Sequence, residues 1–284
     1  MQFELDENPY RVDDKIHDSN GTSYLVKKKL GGGGNSVVLE VSDEREIHSF
    51  AVKILKFKSK KKIEEFEQEK SMLKEFSIPK YANTFLGLVA EGDLDLTSLE
   101  RIGRGKYKDL HTNKYKFYIM HLAGKDIQDF LCTTTFSDEQ EVFPYIKHLA
   151  ESLKIIHEKN YVHRDIKPQN ILLQEQVPKL VDFGLMVKED ACKKKKGPKY
   201  WPSPEFLELC NQDEHCSKKT TDVFQLGCIF FFLITKKYPI GNISISEIGN
   251  SFTKLKPIIE KMISYDKSNR YENGQEVYDD LNAI

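Results

Sequence analysis

Short runs rich in Val, Ile, Phe and Tyr follow one another from Ser23 to Met120: SYLVKKKL, SVVLEV, SFAVKILKF, TFLGLVA and KFYIM. Runs of this length and composition, separated by polar and glycine-containing stretches, predict β-strands. One stretch among them has a different period. In KKKIEEFEQEKSMLKEF, residues Ile63, Phe66, Met72, Leu73 and Phe76 recur near helical spacing, and Pro79 marks the end. Beyond residue 120 helical spacing takes over, in DIQDFL, VFPYIKHLAESLKIIHEK, TDVFQLGCIFFFLI and the terminal GQEVYDDLNAI. A sheet-rich part followed by a helical part predicts an α+β chain of two packed lobes with a cleft between them. The polar stretch from Glu91 to Lys114 reads as an extended connection between two apolar runs.

Charge and cysteine content narrow the classes. With 43 Lys and Arg against 44 Asp and Glu, the net charge is -1, so no global basicity favours nucleic acid or an anionic membrane. The apolar run Leu226 to Ile234 is too short to span a bilayer and reads as a buried helix. The acidic start MQFELDENPYRVDD has no apolar core segment of a secretory leader. Five cysteines without a C-x-x-C pair suit a reducing, intracellular setting, cytoplasmic or nuclear. Cys210, His215 and Cys216 in CNQDEHC lack a fourth metal ligand nearby, so that stretch reads as a surface loop.

The chemistry concentrates in YVHRDIKPQNILL and the DFG that follows it at Asp182, Phe183 and Gly184. Asp165, Lys167, Asn170 and Asp182 carry a base, a cation and two hard oxygen donors at spacings that match the catalytic loop of protein kinases. Phosphoryl transfer needs that set: a group that orients the attacking hydroxyl, a cation for the moving phosphoryl, and oxygen ligands for magnesium. Upstream, LGGGGNSVVLEV offers a glycine-rich turn whose N–H groups could meet phosphates. AVK follows at Ala51 to Lys53, inside a strand-like run.

On these motifs the chain resembles the eukaryotic-type protein kinase family from about Tyr24 to the end. The resemblance implies one catalytic domain after an N-terminal extension at 1–22, with an N-lobe at 23–120, a C-lobe at 121–284 and the ATP cleft between. It implies Asp165 as the group that accepts and orients the hydroxyl, Lys167 at the phosphoryl group, and Asn170 and Asp182 as Mg2+ ligands. Gly31, Gly33, Ser36 and Val38 would form the phosphate loop, with serine in place of its third glycine. Lys53 would bind the α and β phosphates of ATP, held by Glu69 of the helix. Ala51, Met120, Leu122 and Leu172 complete the nucleotide set, and the compact Met-x-Leu-x-Gly hinge is similar to the casein-kinase-like branch. His163 is implied as a packing residue against Phe183. PSPE stands for the family's Ala-Pro-Glu, with Arg270 the expected buried partner of Glu205 and Asp222 in the anchoring helix.

The stretch CKKKKGPKYWPSPE falls in the family's activation segment and substrate-docking loop. Pro198 and Trp201 there are reminiscent of tyrosine kinases, whereas Lys167 is the serine/threonine form, so the resemblance favours serine and threonine acceptors on protein substrates and keeps tyrosine or dual specificity as the alternative. Lys193 to Lys196 would attract acidic or already phosphorylated peptides. Glu189 and Asp190 are the anions in the segment that could pair with Arg164. A pseudokinase would commonly lack one of Lys53, Asp165 or Asp182, a small-molecule phosphotransferase would lack the Pro-Glu and Asp222 to Arg270 apparatus, and no G-x-x-x-x-G-K-[ST] motif is present for a P-loop NTPase.

Overall fold

The computed structural model describes residues 14–32, 35–56, 59–95, 114–189, 191–194, 201–208, 214–216, 218–239 and 243–284. The chain divides into two compact units, the first reaching Ala82 and resuming over Leu86–Ala123, the second made of Asn83–Phe85 and Gly124–Ile284.

The first unit is an antiparallel sheet with one helix. Its strands are β1 (Lys15–His17), β2 (Ser23–Gly32), β3 (Ser36–Asp43), β4 (Ser49–Leu55), β5 (Leu88–Asp95) and β6 (Lys114–His121), in the order β1-β2-β3-β4-β6-β5 among the described residues. Alternation sets the faces: Val37, Leu39 and Val41 of β3, Val52 and Ile54 of β4, and Phe117 and Ile119 of β6 join one buried cluster. Helix α1 (Lys60–Phe76) buries Phe66, Glu69, Met72, Leu73 and Phe76 along a single stripe. It stops at Ser77 before reaching Pro79. The Ser77 hydroxyl donates to the Leu73 carbonyl at 2.5 Å and accepts the Leu88 N–H at 2.6 Å, which closes the helix and starts β5 together.

Strand β5 departs from the sequence expectation at both ends. Phe85 and Leu86 are buried outside any strand, whereas Glu91 to Asp95, expected in the connection, pair with Tyr118 to Lys114. The polar letters hid a period of two. Ala90 and Leu94 enter the core, while Glu91 and Asp93 meet Lys70 and Lys116 at 2.5 and 3.7 Å.

The second unit is mainly helical: α2 (Ile127–Leu131), α3 (Glu139–Glu158), α4 (Pro204–Glu208), α5 (Lys219–Thr235), α6 (Leu255–Met262) and α7 (Gly274–Asn282). Helix α5 is buried all round from Thr221 to Leu233, which accounts for its unbroken apolar run. It packs on α3, and α3 packs on α7. Short antiparallel pairs complete the unit: β7 (Tyr161–Val162) with β10 (Val187–Lys188), β8 (Ile171–Gln174) with β9 (Val177–Leu180), and β11 (Cys192–Lys194) with β12 (Glu214–Cys216). The last pair corrects the loop reading of CNQDEHC, since its final three residues lie in register with Cys192 to Lys194.

Candidate active site

The catalytic loop and the DFG segment are neighbours because β8 and β9 form a hairpin. Its two-residue turn, Glu175 and Gln176, has both φ values positive (51° and 68°), which joins strands with the right twist. Ile171 faces Leu180, and the Val181 N–H donates to the Asn170 carbonyl at 2.9 Å. The two ends of the hairpin, Asn170 and Asp182, thus leave the strands side by side. Within the loop, Asp165 Oδ2 accepts from Lys167 Nζ at 2.7 Å and from Asn170 Nδ2 at 3.0 Å, and that nitrogen also donates to the Asp165 carbonyl at 2.8 Å. Two of the sequence-derived residues, Lys167 and Asn170, therefore converge on the carboxylate of a third. The Asn170 nitrogen is spent on Asp165, so its amide oxygen is the atom available to a cation. Asp182 is exposed, with a left-handed backbone (φ 65°). An amide oxygen and an exposed carboxylate on adjoining backbone suit Mg2+, which takes hard oxygens from one or two side chains and fills its other positions from phosphate and water.

The loop backbone is held from helix α5. Four consecutive N–H groups, His163 to Ile166, each find a side-chain acceptor. Asp222 takes those of His163 (2.6 Å) and Arg164 (2.8 Å), His163 Nδ1 takes that of Asp165 (3.3 Å), and Gln225 Oε1 takes that of Ile166 (3.1 Å). Asp222 and Gln225 are three residues apart, on one face of α5. Arg164 has φ 72°, a conformation that non-glycine residues seldom adopt and that these bonds impose. His157 supports Asp222 from behind. Its Nδ1 accepts the Gly274 N–H at 2.9 Å, so Nε2 carries the proton and donates to Asp222 Oδ2 at 3.1 Å. The His163 ring meets Phe183 edge to face at 5.7 Å, the packing contact its position implies. Burial pushes its pKa down, against the pull of Asp222, Asp165 and Asp182.

In the first unit the register lines up the residues expected at the phosphates. Gly31 pairs with Val38, Val38 with Lys53, and Lys53 with Tyr118, a row across β2, β3, β4 and β6. Directly opposed residues share a face of the sheet. The Lys53 ammonium meets Glu69 Oε1 at 2.5 Å, which explains why a glutamate lies on the apolar stripe of α1. Glu65 and Glu67 pair with Lys62 and Lys70 at 2.8 Å. Ala51 is buried and pairs with Met120; Met120 and Leu122 are half-buried, as are Ser36 and Val38. Leu172, in the second unit, is half-buried on β8 and bridges to Asp126. Gly33 lies outside the described residues. Gly32, which the sequence reading passed over, is where a side chain could not be tolerated: its φ is 153° and a Cβ would stand 2.7 Å from the Ser36 carbonyl oxygen. A run of four glycines cannot say which of them the turn requires.

Beyond the DFG, Arg270 grips Glu205 with two parallel bonds, Nη1 to Oε1 at 3.0 Å and Nη2 to Oε2 at 2.9 Å. Burial alone would raise the Glu205 carboxyl, but the bonds and charge of Arg270 outweigh it and hold the carboxyl below its ordinary range. Trp201 is buried, its ring edge-on to Phe232 at 5.5 Å and to Tyr238 at 5.8 Å, so it packs into the unit. Glu189 pairs with Lys219 at 2.9 Å, a partner that the expected pairing with Arg164 did not include. Asp190, Lys195, Lys196, Pro198 and Tyr200 lie outside the described residues.

An antiparallel sheet carrying a lysine–glutamate pair, together with a helical unit carrying the Asp165 loop and DFG segment, defines the protein kinase class. The chain belongs to the protein kinase domain family, which matches residues 24–282. It is similar to serine/threonine-protein kinase cds1 of Schizosaccharomyces pombe, 28% identical over 263 residues, covering 87% of this chain and 53% of that protein. It is also similar to mouse serine/threonine-protein kinase 16, 29% identical over 230 residues (76% of this chain, 70% of that protein). Mouse dual specificity protein kinase TTK is 25% identical over 257 residues, covering 84% of this chain and 27% of that protein. Against cds1, the chain spans about half the relative's length. Among the described residues no helix is long and apolar enough to cross a membrane.

Proposed function

We propose that this chain is a magnesium-dependent protein kinase that transfers the γ-phosphate of ATP to serine and threonine hydroxyls of protein substrates. The observation that carries this is the bond between Lys167 Nζ and Asp165 Oδ2 at 2.7 Å. It sets a carboxylate that can accept the acceptor's proton beside a cation that can follow the negative charge onto the transferred group. Asn170 steadies the same carboxylate through Oδ2. Bound at Asn170 and Asp182, Mg2+ would neutralise the ATP phosphates and orient the terminal one. Lys53, fixed by Glu69, would hold the α and β phosphates over the glycine turn, with Ala51, Met120, Leu122 and Leu172 against the adenine. Asp222 and Gln225 keep the loop backbone in its active shape before substrate arrives, so little reorganisation remains for the chemical step.

Lys167 favours serine and threonine acceptors. A dual-specificity reading is supported by the aromatic Trp201 in the docking loop and by the similarity to mouse dual specificity protein kinase TTK. Acidic or phosphorylated peptides would suit the lysines at 193–196. The test is phosphate transfer from labelled ATP to an array of serine, threonine and tyrosine peptides of graded charge, with Asp165→Ala alongside. Transfer to serine and threonine, falling by about 10²–10⁴ in the variant, is expected. Undiminished transfer by a folded Asp165→Ala would overturn the assignment, and labelling of tyrosine peptides at a comparable rate would establish dual specificity.

A further inference from the structure

We propose that Tyr118 is a positioning residue for the nucleotide, acting through Glu69 on Lys53; this rests on the kinase reading above. Tyr118 is a hydroxyl-bearing residue in an otherwise apolar strand segment, and it is 2% exposed. Its hydroxyl donates to Glu69 Oε1 at 2.8 Å, the same oxygen that takes Lys53 Nζ at 2.5 Å. Strand register sets it directly opposite Lys53. Its ring lies 5.1 Å from that of Phe66, tilted by 35°, and Phe66 is one turn before Glu69 on α1. Tyr118 therefore grips the helix twice, by its ring through Phe66 and by its hydroxyl through the carboxylate.

The geometry gives the hydroxyl a defined task. A carboxylate with a lysine as its partner can swing with that flexible four-carbon stem, whereas a phenol on a buried strand is a rigid donor. With Oε1 pinned to β6, the carboxylate fixes where the Lys53 ammonium sits when phosphate is to be bound. The first unit thus carries a three-member chain, Tyr118 to Glu69 to Lys53, in which the tyrosine touches no reacting atom.

The test is steady-state kinetics and MgATP binding on the full chain for wild type, Tyr118→Phe, Glu69→Leu and the double variant. Tyr118→Phe keeps the ring and its contact with Phe66. It should raise KM for ATP and the MgATP Kd about tenfold, at the lower end of what a hydrogen bond to a charged group commands, with kcat and the peptide KM within about twofold. In the Glu69→Leu background, which has no acceptor for the hydroxyl, the same change should alter MgATP Kd by less than about twofold, because its target is gone. Wild-type ATP parameters in Tyr118→Phe would overturn the proposal. So would an equal loss of affinity in both backgrounds, or a fall in kcat and thermal midpoint with KM for ATP unmoved, each of which marks a packing role. A wild-type chain that neither binds MgATP nor transfers phosphate would instead overturn the kinase reading itself.

Discussion

Replacing Arg270 with methionine should destabilise the helical unit more than any single exposed charge could. All five guanidinium N–H donors are in use: Nε to the Ser264 carbonyl at 2.7 Å, Nη1 to Glu205 and the Thr220 carbonyl at 3.0 and 3.2 Å, and Nη2 to Glu205 and the Tyr265 carbonyl at 2.9 and 3.1 Å. The guanidinium also sits 4.7 Å above the Phe224 ring. Its side chain is fully buried and that of Glu205 is 16% exposed. Methionine preserves the volume but takes the cation from a carboxylate left with the Thr221 hydroxyl at 3.0 Å, and removes a donor from three carbonyls. Breaking a buried pair in this way costs about 3–5 kcal/mol, which for a chain of this size corresponds to a thermal midpoint lower by about 10 °C. Lysine keeps the charge but brings only three donors, so Arg270→Lys loses two bonds and about 2 kcal/mol. The chain's single tryptophan, Trp201, lies four residues before Glu205 and is buried, so urea titration followed by its fluorescence reads this unit directly. The pair's contribution also carries a sign in pH. The folded-state pKa of Glu205 is depressed, so the stabilisation is present above the unfolded carboxyl's pKa and fades as pH falls through the folded value. The gap between wild type and Glu205→Gln should close accordingly in acid. An Arg270→Met midpoint within about 1 kcal/mol of wild type, or one no lower than that of Arg270→Lys, would refute the reasoning.

Asp222→Asn puts an N–H2 where at least one of three donors now points, so we expect a loss of about 1–3 kcal/mol in urea titration and a fall in kcat larger than that in peptide affinity. Gly274→Ala should lower the thermal midpoint by several degrees without changing KM, because a Cβ there would meet the Lys154 nitrogen at 2.6 Å and the Leu153 carbonyl carbon at 2.7 Å. His148 is pushed down to about 4, by burial first and by the Lys179 charge second, against a backbone hydrogen bond at Thr84. The unfolded chain therefore takes up a proton at this site first as pH falls from about 6.5 toward 4, and stability drops through that window. His148→Gln should flatten that part of the stability profile, measured by urea midpoints across pH.

Residues whose partners lie close in sequence were legible without a structure. Asp165, Lys167 and Asn170 form their cluster within six positions, and the two-residue turn of β8 and β9 carries the pattern on to Asp182. Glu69 was legible because the resemblance asks for an acid from this helix to hold Lys53, and Leu73, one turn further on, marks the packed side. Contacts set by strand register were not. Tyr118 reads as one more aromatic letter in KFYIM until β4 sets it opposite Lys53, and Glu91 to Asp95 read as a linker until β6 pairs with them. Glu189 carried a visible charge, but its lysine is thirty residues away, a distance at which spacing alone picks no partner.

The bonds from Asp222 and Gln225 to the catalytic loop span 58 and 59 residues of chain. Contacts of such separation form only after a long loop has closed, so they come late in folding, whereas α3 and the β8–β9 hairpin need only near neighbours. The shape of the segment His163 to Ile166 is thus borrowed from a helix made much later in the chain. A newly made polypeptide that ends before α5 would hold the complete His163–Asp165 sequence and all of α3 while still unable to hold Asp165 in place. In refolding from urea, the far-ultraviolet circular dichroism should recover before phosphoryl transfer does, with the lag set by the docking of α5.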